Sequence, residues 1–462
     1  MSRPAPLTRR RFLGGVLGGF AVGVACGERT PSVERSGRPS FLVLVTDDQR
    51  ADTLGCMGNP VIQTPSIDAL AANGVIFDRA FVTTSSCPSS RASILTGQYT
   101  RRHGVSDFAT PLPVAALDQS YPLLLRAHGY RTGFLGKWGL GGPLPWSAFD
   151  EWGGFAAQGA YFEGKGPGRR HLTGELASQA VDFLETGDER PFCLSISFKA
   201  PHGPWFFDPS LKDLYRDAPV PVGPTANLEA ARGLHPFLRK SMVGHRGVRW
   251  LSDAEWLRDR LRDYYRMITG VDLAVARVLE ALDRLGLCDE VVVIYTSDNG
   301  LMVGEHGFVG KTLMHEESIR VPLIVRAPGL PASAQGRRLK EMALNIDLAP
   351  TILDLAGIAA PTQMQGRSLL PLLEGDPVAW RDDWFYEFEL SVGRGKYFPT
   401  LEGVRTERWK YVRYLDPEIE DEALYDLVRD PLETEDLADR PEHRERLDAL
   451  RRRWQEYRDT VA

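Results

Sequence analysis

Cysteine is scarce in this chain and widely spaced. Five occur in 462 residues (Cys26, Cys56, Cys87, Cys193 and Cys288), with no CxxC pair and no metal-finger spacing. That spacing excludes a disulfide framework, and the lack of any histidine or cysteine cluster excludes a structural zinc site. Positive charge is not in excess either: 55 Lys and Arg stand against 61 Asp and Glu, for a net charge of −6 at pH 7. No basic field is available for nucleic acid, so an anionic ligand must be met by local arginines and lysines. No internal apolar run is long enough to span a membrane, and no internal repeat or long low-complexity segment is present.

What is there is core material. Hydrophobic residues make up 43% of the chain, enough for one large domain with a smaller appendage. Residues 1–30 stand apart in composition. Thr8-Arg9-Arg10-Arg11-Phe12-Leu13 leads into a glycine-rich apolar run from Gly14 to Ala25, the order of a twin-arginine export signal. That reading makes the twin-arginine translocase a partner and the location periplasmic or otherwise extracytoplasmic. Cys26 closes the run and is a weaker alternative, a lipoprotein anchor. Residues 31–39 read as a polar linker.

From there, strand and helix signals alternate. Short apolar runs predict strands at Phe41–Thr46, Val75–Phe81, Arg131–Leu135, Phe192–Phe198, Val291–Ser297 and Pro322–Val325. Helices are expected from Pro65 to about Gly74, around 119–128 and around 172–186. The longest is expected from a capping box, Ser252-Asp253-Ala254-Glu255, through Leu279. Residues 201–247 are rich in proline and glycine and read as long loops carrying substrate contacts. The fold class is therefore α/β, a large, mostly parallel (mixed) central sheet flanked by helices over residues 40–375. A smaller C-terminal α+β subdomain is expected over 376–462, with short antiparallel strands at Trp384–Glu389, Gly403–Thr406 and Lys410–Leu415 and a basic helix from about Glu442.

Chemistry concentrates at three places. In Phe81–Gly97, Cys87 is expected at the N-cap of a helix, Pro88 at its first position and Gly97 at its stop. The helix dipole there lowers a thiol pKa and favours anions, and Arg91 shares the face of Cys87. Two acidic pairs follow strands: Asp47-Asp48 after the first and Asp298-Asn299 after Val291–Ser297. In open α/β sheets ligands lie beyond the carboxyl ends of strands, so the pairs are expected over one crevice. Three carboxylates and an amide oxygen form a hard-oxygen set suited to Ca²⁺ or Mg²⁺.

The Cys87 window, Cys-Pro-Ser-Ser-Arg-Ala-Ser-Ile-Leu-Thr-Gly, resembles the signature of the type I sulfatases of the alkaline-phosphatase-like superfamily, with Ser89 where proline is usual. Val45–Asp52 and Ser297-Asp298-Asn299-Gly300 resemble that family's two metal motifs. Gly136-Lys137-Trp138-Gly139-Leu140-Gly141 is similar to its Gly-Lys-Trp-His-Leu-Gly, with Gly139 in place of the histidine. Lys199-Ala200-Pro201-His202 and Gly310-Lys311 match two further segments. The resemblance implies a formylglycine at 87, made from the cysteine by a formylglycine-generating enzyme. It also implies a metal, most often Ca²⁺, on Asp47, Asp48, modified Cys87, Asp298 and Asn299. Lys137, Lys199 and Lys311 would then neutralise a sulfate ester with the metal, Arg91 would stabilise the hydrated aldehyde on residue 87, and His202 would protonate the leaving alcohol. His306 and His315 read as structural neighbours. Phe149–Phe155 and Gln158–Tyr161 are similar to sulfatases acting on sulfated sugars such as glucosamine 6-sulfate. Two other readings stay open: a phosphodiesterase or phosphonate monoester hydrolase of the same superfamily, and an inactive exported sugar-binding homologue.

Overall fold

The computed structural model describes residues 37–162, 169–390, 397–416, 419 and 421–461. The export signal, Cys26 and most of the linker lie outside the described residues.

Eight strands form the central sheet: β1 (Ser40–Thr46), β2 (Val75–Phe77), β3 (Arg131–Lys137), β4 (Glu151–Phe155), β5 (Phe192–Ser197), β6 (Val291–Ser297), β7 (Leu323–Arg326) and β8 (Arg337–Leu339). Their order is β8-β2-β7-β6-β1-β5-β3-β4. β1 lies between β5 and β6 and is parallel to both, whereas β7 runs antiparallel to β6 and β2. The sheet is thus mostly parallel with one reversed strand, as the sequence predicts.

β1 is buried on both faces, which explains its unbroken apolar run. Phe41, Val43 and Val45 join one hydrophobic cluster, and Leu42 and Leu44 join the other. Helices Pro65–Ala72, Leu172–Glu185 and Ala254–Arg284 cover the Leu42 side. On the Phe41 side, the helices Cys87–Thr96 and Leu348–Leu355 pack in one continuous cluster with an antiparallel four-stranded sheet. That sheet comprises Asp383–Phe388, Leu401–Thr406, Trp409–Tyr414 and Glu422–Asp426, and helix Arg444–Thr460 packs on it.

Several local expectations need correction. Val75–Phe81 is not one strand. β2 stays in the central sheet, while Ala80–Phe81 pairs with Ala343–Leu344 in a separate ribbon. The longest helix starts at Ala254 with Asp253 as its cap, its carboxylate accepting from the Trp256 N–H at 3.0 Å. Ser252 instead donates to the Arg249 carbonyl at the end of the preceding helix. Within 201–247 the expected loops give way to helices Leu228–Gly233, Pro236–Lys240 and Met242–Leu251. The caps Asn227 and Ser241 satisfy the first N–H groups there, so short helices form despite weak periodicity. The fourth strand of the C-terminal sheet, Glu422–Asp426, also went unpredicted.

Candidate active site

The site lies where β1 and β6 end. Their parallel register places Thr46 beside Ser297, so Asp47-Asp48 and Asp298-Asn299 emerge as neighbours. The turn after β1 is pinned from β6: the Ser297 hydroxyl accepts from the Gln49 N–H at 3.0 Å, and the Asp298 N–H donates to the Thr46 carbonyl at 2.9 Å. Asp48 takes a left-handed conformation, φ 65°, which aspartate tolerates better than most residues. Tyr264 holds it there by donating to the Asp48 carbonyl at 2.7 Å.

Helix Cys87–Thr96 delivers the thiol. Ser86, not Cys87, is its N-cap, which puts Cys87 at the first helical position and Pro88 at the second; Gly97 (φ 66°) ends it as expected. Gln365 anchors that end, its N–H donating to the Gly97 carbonyl at 2.8 Å. The Gln365 side chain accepts from the Tyr99 N–H at 2.9 Å and donates to the Val461 carbonyl at 2.8 Å.

Cys87 is 1% exposed and donates to Asp47 Oδ1 at 3.3 Å. Its thiol pKa is not lowered: burial pushes it up, and the Asp298 and Asp47 carboxylates push it further, outweighing the helix terminus. Lys311 Nζ donates to Cys87 Sγ at 2.7 Å and also to Asp48. Lys137 Nζ donates to Asp47 Oδ2 at 2.5 Å and to Gln158 Oε1 at 2.9 Å. Arg91 Nε donates to Asp298 Oδ2 at 2.9 Å, its Nη1 reaches the Lys137 carbonyl at 3.0 Å and the Ser197 hydroxyl, and its Nη2 lies 3.5 Å from Asp47.

Lys199 lies over the Tyr161 ring at 4.6 Å, and burial lowers its pKa. His202 Nδ1 donates to the Gly203 carbonyl at 2.5 Å, which fixes the tautomer and leaves Nε2 3.7 Å from Asp48 Oδ2. Burial lowers the His202 pKa, with Asp48 and Asp47 opposing. Burial disfavours the Asp47 carboxylate, yet Lys137, His202, Arg91 and Lys311 together hold its pKa well below the ordinary value. Asp298 goes the other way, raised by burial and then by Asp47.

The donor set suits a hard divalent cation. Ligand atoms of Asp47, Asp48, Cys87 and His202 lie within 4.8 Å of one another. Asn299 Nδ2 donates to Asp48 Oδ1 at 2.6 Å, while its buried Oδ1 has no hydrogen-bond partner. An unpaired amide oxygen beside three carboxylates is a spare oxygen ligand for such an ion. Asp298 faces Arg91 and the Asp48 N–H, and sits outside the tightest group.

Gly139 has a steric reason to lack a side chain. Its φ is +75°, and an added Cβ would lie 2.6 Å from Arg91 Cδ. The guanidinium of Arg91 therefore passes through the space that a histidine here would need. Sequence reasoning did not single out Ser197, which holds Arg91, and it did not recognise the cavity walls. About 570 Å³ opens above Cys87, Asp48, Lys311 and His202, bordered by Trp205, Trp250, Trp256 and Phe398. The Trp250 and Trp256 signal was hidden in the segment read as loops and the helix start beside it.

A crevice at the carboxyl ends of parallel strands, with a buried thiol, a hard-oxygen cluster and converging lysines, is the arrangement of an α/β enzyme acting on an anionic substrate. A sulfatase family profile matches residues 39–358, and the C-terminal profile of N-sulphoglucosamine sulphohydrolase matches 304–460. N-acetylglucosamine-6-sulfatase of Homo sapiens is 32% identical, covering 84% of this chain and 72% of its own length. N-acetylglucosamine-6-O-sulfatase of Bacteroides thetaiotaomicron is 28% identical, covering 93% and 88%. A solved structure in complex with its substrate D-glucosamine-2-N,6-O-disulfate superposes with a TM-score of 0.79 at 27% identity, covering 92% of this chain and 98% of that one. Phosphonate monoester hydrolase of Agrobacterium radiobacter superposes with a TM-score of 0.76 at 27% identity, covering 92% and 96%. The chain belongs to the sulfatase family of the alkaline-phosphatase-like superfamily, and it is a sulfuric ester hydrolase.

Proposed function

We propose that the protein is an exported, metal-dependent sulfatase that removes sulfate from a sulfated carbohydrate through a formylglycine at position 87. The observation carrying this reading is the convergence of Cys87, Asp48 and Lys311 on the wall of one cavity, with Asp47 bonded to Cys87 and Lys137 bonded to Asp47 in the buried layer behind them. When present, formylglycine supplies a hydrated aldehyde as nucleophile, and Ca²⁺ or Mg²⁺ on Asp47, Asp48, Asp298, Asn299 and residue 87 supplies positive charge to the ester sulfate.

The chain's own groups do the rest. Lys137, Lys199 and Lys311 meet the charge spread over the sulfate oxygens, and a buried site makes each contact stronger than it is in water. Arg91, tied to Asp298 and Ser197, holds its charge beside residue 87. His202 faces the cavity with Nε2, and in its imidazolium form, which Asp48 and Asp47 favour against burial, it gives the Nε2 proton to the departing alcohol and is left as the neutral Nδ1–H tautomer. The glucosamine 6-sulfatases among the relatives support a sulfated amino sugar as substrate. The arginine-rich leader in residues 1–30 supports export by the twin-arginine translocase after maturation by a formylglycine-generating enzyme.

Intact-mass measurement of the peptide containing residue 87, from a host with the maturing enzyme, tests the modification. An unmodified thiol in active protein refutes it. Parallel assays on aryl sulfate and aryl phosphonate esters test the reaction, with sulfate preferred. Preference for the phosphonate would move the protein to the neighbouring branch of the superfamily.

A further inference from the structure

One face of helix Met242–Leu251 borders the cavity: Val243, Arg246 and Trp250, spaced three and four residues apart, all line it. Trp250 packs edge-on against Trp256 at 4.9 Å and against Trp205 at 5.6 Å, forming a wall of aromatic surface opposite the catalytic loops. Arg260 lies over Trp256 at 5.7 Å, but its charge is taken by Asp263 at 2.7 Å.

Arg246 is different. No hydrogen bond or ion pair engages it among the described residues, and it is not one of the cations grouped on Asp47, Asp48 and Asp298. An added Cβ at Gly310 would lie 3.9 Å from Arg246 Nη1, which places the guanidinium against the residue before Lys311. Burial lowers its pKa while Asp48 opposes, so it is a partly desolvated cation within the field of the site. A neutral ring filling this cavity would strip more water from Arg246 and return no partner. A ring carrying a second negative group would give it one, and the tryptophans offer flat surface to pack the ring.

Resting on the sulfatase reading of the same cavity, we infer that Arg246 and the Trp250–Trp256 wall form a subsite for a second anionic substituent, so that the substrate is a sulfated sugar with two negative charges on one residue. The second charge is a sulfamate, a further O-sulfate or a carboxylate.

Calorimetry with Cys87→Ser protein decides this without turnover. D-Glucosamine N,6-O-disulfate is expected to bind about 10-fold more tightly than N-acetyl-D-glucosamine 6-sulfate, the scale of one charge-assisted contact. Arg246→Ala in that background should bring the two sugars within about twofold, and Arg246→Lys should keep part of the difference. Equal affinities in the parent, a preference that survives Arg246→Ala, or no binding of either sugar would overturn the inference. Turnover is a separate matter. If protein with verified formylglycine hydrolyses neither sugar nor an aryl sulfate, the sulfatase reading fails, while the calorimetric ratio still decides the subsite.

Discussion

Over β1 and β6, Asp47, Asp48 and Asp298 face Arg91, Lys137, Lys199 and Lys311, and the pairing is left incomplete. Asn299 Oδ1 and Arg91 Nη2 are buried without hydrogen bonds, and the Asp298 pKa is raised by burial and by Asp47. Beneath the C-terminal sheet a second buried network closes on itself. Lys410 Nζ reaches Glu433 at 2.6 Å, Glu316 at 2.9 Å and the Met314 carbonyl at 2.7 Å, while Arg405 takes both oxygens of Glu316 at 3.0 and 3.1 Å. His306 stacks on His315 at 4.0 Å and bonds Glu317 at 3.1 Å, so both are neighbours in this network, as the sequence reading had them. Burial works against the Glu433 carboxylate, yet Lys410 and His315 hold its pKa well down. The crevice keeps unused donors and acceptors for a ligand. The second network uses most of its own internally, leaving His315 Nδ1 without a hydrogen bond 3.7 Å from Glu433, and it joins the active-site segment Glu305–Glu317 to the C-terminal sheet.

Four experiments can break or sharpen that contrast, taken from the largest effect to the smallest. Cys87→Ala should abolish sulfatase turnover by about four orders of magnitude or more while leaving the melting temperature nearly unchanged, measured by aryl sulfate hydrolysis and calorimetry. A large loss of stability would mean that the crevice residues are structural after all. Lys410→Met should do the reverse. It takes the lysine from the buried Glu433 carboxylate, while Glu316 keeps Arg405, and should destabilise the protein by about 3–5 kcal/mol, read from denaturant unfolding.

Gly139→Ala should lower turnover by about 100-fold, the scale of a catalytic group displaced by an ångström, because its Cβ drives Arg91 aside. Unchanged turnover would remove Arg91 from the argument. The smallest effect is on acid stability. Burial opposes ionisation of Glu316, but Arg405 and Lys410 lower its pKa from 4.5 to about 2. A depressed folded value adds stability above the unfolded value, which is lost as pH falls. The melting temperature should therefore drop between pH 4.5 and about 2, and the drop should be smaller in Glu316→Gln.

Much of the crevice was legible because its parts are local. Asp47-Asp48 and Asp298-Asn299 each directly follow an apolar strand, and adjacent parallel strands bring them side by side without further information. The Cys87–Arg91 spacing sets a shared helix face in the same way. Other parts depend on packing across the chain. The Lys410–Glu433 and Arg405–Glu316 pairs join segments with no common motif. The thiol pKa was misjudged because the helix terminus is visible in sequence and the depth of burial is not. Gly139 looked like a lost histidine until Arg91 was seen to occupy its space. Arg246 sat in the proline- and glycine-rich stretch read as loops and Trp250 just beyond it, so the ten-residue amphipathic helix Met242–Leu251 that carries both was passed over.

Finally, the Gln365 bridge between Gly97, Tyr99 and Val461 sets a clock on the biosynthesis of the site. The bridge at the end of the helix bearing Cys87 is complete only after residue 461 has left the ribosome, some 370 residues later. At roughly 5–20 residues per second, the interval is about 20–75 s. In the folded chain Cys87 is 1% exposed at the end of its cavity, so another protein meets this side chain more readily before folding ends than after it.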